Sequence, residues 1–151
     1  GYFLTTPIEM AVYAASIAND GEIITPRLVK TDSLEAEIPL GSSASKLEQI
    51  NIPEEYFKIV KEGMRMAVME GTAQGLSYPD LKIAAKTGTA EVGGKKNFSH
   101  SWIVGFYPYE NPKYAFVAVL EKGPAGNTIG APFAMKRFFA WLKLYYPEYA
   151  R

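Results

Sequence analysis

The sequence contains no cysteine, a single histidine and no excess of charge of either sign. Without cysteine the chain can form neither a disulfide framework nor a thiolate zinc site, although oxidising and reducing compartments both stay open. Sixteen basic residues balance sixteen acidic ones and are interspersed without a basic stripe. This balance argues against nucleic acid or an anionic membrane as a partner, and favours a small molecule or a protein.

Long apolar runs are also missing. No run reaches the roughly 18 residues that a transmembrane helix needs, and no signal peptide is present, so nothing in this segment is expected to span a membrane. What is present suits a globular domain, because 151 residues with 48% hydrophobic side chains can bury a core. The chain begins at Gly1 in mid-pattern, close to a helix start, so we expect a piece of a longer polypeptide.

The first of three predicted helices lies in "TTPIEMAVYAASIANDG". Thr6 is its predicted N-cap, Pro7 its first residue and Glu9 the partner in a capping box, while Asn19-Asp20-Gly21 marks its end. Its predicted inner face consists of Ile8, Ala11, Val12, Ala15 and Ala18.

The second predicted helix opens at Pro53, with two glutamates that suit its N-terminal dipole. Its predicted inner face consists of Phe57, Val60, Met64, Ala67 and Val68, and Gly71 follows its end. The third predicted helix is "GAPFAMKRFFAWLKLYYP". A wide, largely aromatic face is predicted for it: Phe133, Phe138, Trp141, Leu142 and Tyr145.

Three extended segments separate the last two helices: Ile83 to Val92, Ser101 to Tyr107, and Tyr114 to Glu121. The second and third are joined by "PYENP", whose prolines and asparagine favour a turn, so the three segments are predicted to form an antiparallel meander. Residues 22–30 form a shorter extended piece, and 31–51 are predicted as a surface excursion. The pattern indicates an α+β fold in which one sheet face needs more cover than these helices give.

The stretch "KIAAKTGTAEVGG" places Lys86, Thr87, Gly88 and Thr89 in a predicted strand. Alternate side chains of a strand face opposite ways, so Lys86 and Gly88 share one face and the threonines lie on the other or along an edge. The glycine removes bulk, which lets an extended peptide pair with the backbone. The hydroxyls suit a carboxylate, and the lysine adds positive potential. The alternative is a glycine-weakened strand with a solvated lysine.

Lys-Thr-Gly is the third signature of penicillin-binding proteins and serine β-lactamases. Beyond it, "KTGTAEV" and "HSWIVGFYPYENPKYAFVAVLEKG" resemble the third to fifth strands of a class B penicillin-binding protein transpeptidase domain. "GYFLTTPIEMAVYAASIANDGEIITPRL" resembles the helix and extension between the second and third signatures of that family. "EKGPAGNTIGAPFAMKRFFAWL" resembles the end of the elongation-specific type, penicillin-binding protein 2. The resemblance leaves chiefly 31–51 unmatched.

The resemblance implies that 1–151 is the C-terminal portion of one transpeptidase domain, with an antiparallel sheet packed by helices and incomplete without an upstream segment. The nucleophilic serine, its partner lysine and the middle signature should precede this segment. Ser43-Ala44-Ser45-Lys46 imitates the first signature, but it lies in a polar excursion and not at the start of a buried helix. Tyr109-Glu110-Asn111 imitates the second in a predicted turn. We expect neither to be catalytic, and a structural or solvated role for His100.

By the same resemblance the complete enzyme is a peptidoglycan D,D-transpeptidase. It forms an acyl-serine from a stem peptide ending in D-Ala-D-Ala, passes the acyl group to an amine of a neighbouring strand, and is a target of β-lactams. The family pattern implies catalytic roles for Lys86 and for the backbone N–H of Thr89, an oxyanion-hole donor. It implies substrate binding by Thr87, Gly88 and Thr89. No metal or organic cofactor is indicated, and this segment alone should be inactive.

The implied partners are stem peptides, β-lactams, the upstream segment of the same polypeptide and envelope scaffold proteins of the rod elongation complex. The implied location is the periplasmic face of the bacterial inner membrane, with the membrane anchor outside this chain. Two alternatives stay open. One is a non-catalytic module of the same fold that binds peptides or partner proteins, and the other is a β-lactamase or β-lactam sensor.

Overall fold

The computed structural model describes residues 3–26, 48–93, 97–126 and 129–150. The helices are α1 (Pro7–Ala18), α2 (Glu54–Met69) and α3 (Ala131–Tyr145), with short 3₁₀ helices at Gln74–Leu76 and Pro147–Tyr149. The strands are β1 (Glu22–Ile23), β2 (Glu48–Gln49), β3 (Ala84–Val92), β4 (Phe98–Tyr107) and β5 (Tyr114–Pro124). The predicted α+β class is confirmed.

The start of α1 has the predicted capping box. The Glu9 carboxylate accepts the N–H of Thr6 at 2.7 Å, and the Thr6 hydroxyl accepts the N–H of Glu9 at 3.4 Å. The bond from the Thr6 backbone holds the pKa of Glu9 below its usual value. The predicted inner face is wrong at its start, because Ile8 is exposed while Ala14 and Ile17 are buried. The buried residues of α1 all lie in its C-terminal half, Ala14–Ala18, whereas Ala11 and Val12 are half-buried.

A small sheet pairs a strand that precedes residues 27–47 with a strand that follows them. β1 and β2 pair antiparallel, with Glu22 opposite Gln49 and Ile23 opposite Glu48. The predicted surface excursion over 31–51 therefore ends in a short strand that the sequence does not predict, although both residues of this strand are exposed. A strand of two polar residues shows no periodicity, so the sequence carries no signal for it. Ser43-Ala44-Ser45-Lys46 lies outside the described residues.

The main sheet has the predicted antiparallel meander, in the order β3-β4-β5. Lys86 lies opposite Val104, Thr87 opposite Ile103, and Gly88 opposite Trp102. Since residues opposite each other share a face, Lys86 and Gly88 lie on one face and Thr87 on the other, as predicted. Within the described chain β3 is an edge strand.

Two apolar clusters cover opposite faces of this sheet near the start of β3. On one face Ala84 and Phe106 pack with residues of α1 and α2: Ile17, Ala18 and Met64. On the other face the larger cluster joins the sheet to α3 and to the segment after α2: Val68, Ala73, Leu76, Leu81, Ile83, Ala85, Ile103, Tyr107, Ala131, Met135, Phe139, Leu142 and Ala150. Since α2 contributes to both clusters, it lies along the outer edge of β3 at this end.

The face that α3 turns to the sheet differs from the prediction. Met135, Phe139 and Leu142 are buried, and the Phe139 ring packs edge-on against Tyr107 at 5.2 Å between centroids. Of the predicted face only Leu142 is buried, whereas the four aromatic residues Phe133, Phe138, Trp141 and Tyr145 are exposed. Met135, Phe139 and Leu142 form a narrow stripe at helical spacing, and this stripe joins the cluster between α3 and the sheet.

Candidate active site

The motif Lys86–Thr89 begins directly after the last residue of β3 that the two apolar clusters bury, Ala85. Ala84 and Ala85 have no exposed surface, whereas Lys86, Gly88 and Thr89 are exposed and Thr87 is half-buried. The strand itself continues without interruption through this change, because its pairing with β4 extends to Val92. A rigid, paired backbone therefore presents the motif to solvent.

Hydrogen bonds before the motif show which backbone groups of β3 point to its open edge. The Lys82 carbonyl accepts the N–H of Tyr109, on the hairpin side, at 2.8 Å. The Ile83 carbonyl instead accepts Nη1 of Arg65, from α2 at the outer edge, at 2.9 Å. Backbone groups alternate along a strand, and both groups of one residue point the same way. The carbonyl of Thr87 and the N–H of Thr89 therefore point outward, like the carbonyl of Ile83.

Lys86 reaches this same edge from its own face of the sheet. Its Nζ donates a hydrogen bond to the Thr87 carbonyl at 2.9 Å. Since that carbonyl points outward, the ammonium group lies at the open edge, two residues from the outward N–H of Thr89. The positive charge and the N–H donor are thus neighbours.

The hydroxyls of the motif lie on the opposite face. Oγ1 of Thr87 is 2.7 Å from Oγ1 of Thr72, a distance at which one hydroxyl donates to the other. Thr89 is exposed and lies opposite Ser101, whose Oγ accepts the N–H of Ala131 at the start of α3. The sequence patterns do not single out Thr72, because a threonine in the glycine-punctuated "GTAQGL" is ordinary connector chemistry.

Gly88 has room for a side chain. A Cβ atom at this position would lie 3.5 Å from Cβ of Trp102, which is ordinary van der Waals contact. The backbone conformation of Gly88 does not require glycine either, since its φ is not positive. The fold therefore does not explain the glycine, which leaves space above the sheet between Lys86 and Trp102.

The other candidates occupy structural positions. Nδ1 of His100 accepts the N–H of Lys122 at 3.2 Å, beside an irregularity of the β4–β5 register. Glu110 lies in the turn 109–111, which imitates the second signature. It forms an ion pair with Lys82, and this pair holds the pKa of the Glu110 carboxyl below the usual value. This turn follows Tyr107, at the opposite end of β4 from the partner of Thr89. The hydrogen bonds of His100 and Glu110 thus go to Lys122 and Lys82, outside the motif.

Within the described part of the chain, no three histidine, aspartate or glutamate side chains come close enough to bind a metal ion together. Among the described helices, none combines the length and the apolar character that crossing a membrane requires.

Comparison with known proteins places these features in a family. The profile of the penicillin binding protein transpeptidase domain matches residues 1–138. Penicillin-binding protein H of Bacillus subtilis is 32% identical over 95% of this chain and 22% of its own length. The peptidoglycan D,D-transpeptidase MrdA of Haemophilus influenzae is 28% identical over 98% of this chain and 25% of its own length.

The fold comparison agrees. The crystal structure of Pseudomonas aeruginosa PBP2 in complex with WCK 5153 is 32% identical and superposes with a TM-score of 0.73, over 94% of this chain and 31% of that one. This chain spans about a quarter of the curated relatives' length. It belongs to the family of penicillin-binding protein transpeptidase domains.

Proposed function

We propose that this chain is the C-terminal portion of a peptidoglycan D,D-transpeptidase. The observation that carries the proposal is the exposed half of β3, where Lys86, the N–H of Thr89 and two threonine hydroxyls lie along a strand edge that no described strand pairs with. Relatives named as D,D-transpeptidases support it, since MrdA proteins align with nearly all of the chain. Neither a non-catalytic module nor a β-lactamase is favoured by the named relatives.

The proposed reaction has two steps. A serine hydroxyl attacks the carbonyl carbon between the last two D-alanines of a stem peptide, and the terminal D-alanine leaves with the serine proton on its amine. The resulting acyl-serine is then attacked by an amine of a neighbouring peptidoglycan strand, which forms the cross-link and frees the serine. A β-lactam imitates the donor peptide and stalls at the acyl-enzyme.

The N–H of Thr89 is the proposed oxyanion-hole donor of this chain. It points to the open edge of β3, where the reacting carbonyl of an extended peptide would pair with the strand. The second donor would come from the nucleophilic serine. Removing one such donor costs about 2.7–4 kcal/mol of transition-state stabilisation in the protease where it was tested.

The carboxylate of the donor peptide is proposed to bind the hydroxyls of Thr87 and Thr89. A hydrogen bond to a charged group is worth about 1.5–3 kcal/mol, and the Lys86 ammonium group at the same edge adds attraction. Lys86 is also proposed to hold the middle-signature serine and its proton path. The space at Gly88 would let the peptide lie close to the strand.

The nucleophile and the rest of the domain are proposed to lie upstream of Gly1. Large apolar side chains that stay exposed support this proposal, because a complete domain would cover them. They include Phe3, Leu4, Ile8 and Tyr13 around α1, and Phe98 and Leu120 on the sheet. The complete protein is proposed to act at the periplasmic face of the inner membrane, with scaffold proteins of the rod complex.

Two experiments on the complete polypeptide test this function. In the first, the protein is labelled with fluorescent penicillin and digested, and the adduct is mapped by mass spectrometry. We expect it on a serine upstream of Gly1, and unchanged labelling rates for Ser43→Ala and Lys46→Ala. An adduct on Ser43 would overturn the assignment of the nucleophile.

The second experiment offers a D-Ala-D-Ala pentapeptide and an acceptor amine. We expect release of D-alanine together with the cross-linked product. Rapid hydrolysis of penicillin without a cross-linked product would indicate a β-lactamase, and no acylation by penicillin at all would indicate a non-catalytic module.

A further inference from the structure

Thr72 lies in a turn after α2, and the residues before and after it are both fixed against that helix. On one side a Cβ atom at Gly71 would lie 2.8 Å from Cα of Ala67, so this tight approach to α2 requires glycine. On the other side Ala73 is fully buried, and its N–H donates to the Ala67 carbonyl at 2.9 Å. Thr72 itself is exposed, so its side chain contributes little to the core.

The hydroxyl of Thr72 contacts β3 through a single atom, Oγ1 of Thr87. The 2.7 Å between the hydroxyl oxygens of Thr72 and Thr87 is the commonest distance for an O–H···O hydrogen bond. A threonine hydroxyl has one proton and two acceptor sites. One of the two hydroxyls therefore uses its proton inside the pair, and the other keeps its proton for a third group.

We propose that Thr72 is a positioning residue, whose hydroxyl donates to Oγ1 of Thr87 and thereby directs the Thr87 proton to the substrate carboxylate. The inference rests on the proposed function, which makes Thr87 a carboxylate ligand. A carboxylate only accepts hydrogen bonds, so Thr87 must donate to it and must accept from Thr72. Only when Thr72 donates to Thr87 and Thr87 donates to the carboxylate do all three groups form their hydrogen bonds.

This arrangement helps binding in two ways. A lone hydroxyl rotates and must be ordered when an anion binds, whereas the bond from Thr72 orders it in advance. The bond also polarises the Thr87 hydroxyl, because hydrogen bonds in a chain strengthen one another. Each effect acts on the affinity for a carboxylate, and neither places Thr72 in contact with the substrate.

The test uses the complete polypeptide and penicillin G, whose carboxylate imitates that of the donor peptide. Stopped-flow acylation per folded molecule is measured for the variants Thr72→Val, Thr72→Ser, Thr87→Val and the double valine variant. Thr72→Val should slow acylation by about threefold to tenfold, the range of one neutral hydrogen bond. The loss should appear as weaker initial binding, with the acylation step unchanged. Thr25→Val, at an exposed threonine far along the chain, is the control.

Two further results are expected if Thr72 acts through Thr87. Thr72→Ser keeps a hydroxyl and should restore most of the rate, and the double variant should be no slower than Thr87→Val. A wild-type rate for Thr72→Val, or losses that multiply in the double variant, would overturn this inference alone. A wild-type rate for Thr87→Val would overturn both the carboxylate role of Thr87 and the inference built on it.

Discussion

The two halves of β3 have the same backbone pairing but different surroundings. Ala84 and Ala85 are packed on both faces, and α2 closes the outer edge beside them through Arg65. Beyond Ala85 no described strand pairs with the outer edge of β3, and the side chains of Lys86 and Thr89 are exposed. The first half secures the position of the strand, and this leaves the second half free to present polar groups at fixed places.

Two glycines on neighbouring strands show the same contrast. A Cβ atom at Gly105, opposite Ala85, would lie 2.4 Å from the Ala84 carbonyl oxygen and 2.7 Å from the Phe116 ring. At Gly88 the nearest heavy atom would be 3.5 Å away. Packing therefore requires Gly105, whereas Gly88 needs another explanation, and the proposed one is access for an extended peptide.

The largest effect is expected for Gly105→Ala, which tests the packing around the covered half of β3. The added methyl group meets backbone that cannot move without breaking the sheet, so we expect a loss of about 3 kcal/mol in the free energy of unfolding. Gly88→Ala is the matched control and should change it by less than about 1 kcal/mol. Thermal unfolding of both variants in the complete protein measures the difference. Equal midpoints would show that the two halves are packed alike.

The next effect concerns charge at the open edge. Lys86→Ala should slow penicillin acylation by about a hundredfold or more, the scale of a lost proton-transfer or charge-stabilising group, while the protein stays folded. Lys82→Ala is the control, since Lys82 pairs with Glu110 at the covered end and an exposed pair contributes at most about 1 kcal/mol. Labelling of folded Lys86→Ala protein at the wild-type rate would remove Lys86 from the site.

A smaller effect tests the covered end. Burial, with a contribution from nearby Tyr114, raises the pKa of Tyr107 to about 12. The unfolded value is near 10, so the contribution of Tyr107 to stability is complete below pH ~10 and is lost as the pH rises towards ~12. Across this window the wild type should lose on the order of 1–2 kcal/mol more than Tyr107→Phe. Denaturant unfolding at both ends of the window measures this loss, and the exposed Tyr145→Phe is the control. Equal losses for wild type and Tyr107→Phe would contradict the burial.

Local signals in the sequence predict the elements of this fold well. The capping box at Thr6 and Glu9 forms as expected, and turn residues correctly separate the three strands of the meander. These features depend on neighbours in sequence, which the sequence shows directly. β2 is the exception, because it forms only where β1 lies beside it.

The faces of helices are predicted less well, because they depend on what packs against them. The aromatic residues of α3 suggest a core, yet the exposed Trp141 packs its ring at a tilt against that of Tyr146, with the centroids 5.1 Å apart. Ile8 is exposed for a related reason, since no described element covers the start of α1. Helical spacing defines stripes, but it cannot choose among several apolar ones.

For the candidate site, the sequence predicts the motif and its alternation between faces. It does not show that cover ends at Ala85, nor that the carbonyl of Thr87 and the N–H of Thr89 point to an open edge. These facts depend on the positions of α2 and β4, which are distant in sequence. The sequence does not indicate a role for Thr72 for the same reason, since its contact with Thr87 joins the connector after α2 to β3.

If Gly88 serves the approach of substrate and not the fold, Gly88→Val should separate stability from activity. Both the thermal midpoint and the fluorescent penicillin labelling per folded molecule are measured in the complete protein. We expect a midpoint close to wild type, because a Cβ atom at this position makes only an ordinary contact with Trp102, together with loss of labelling. A large fall in the midpoint with normal labelling per folded molecule would contradict it.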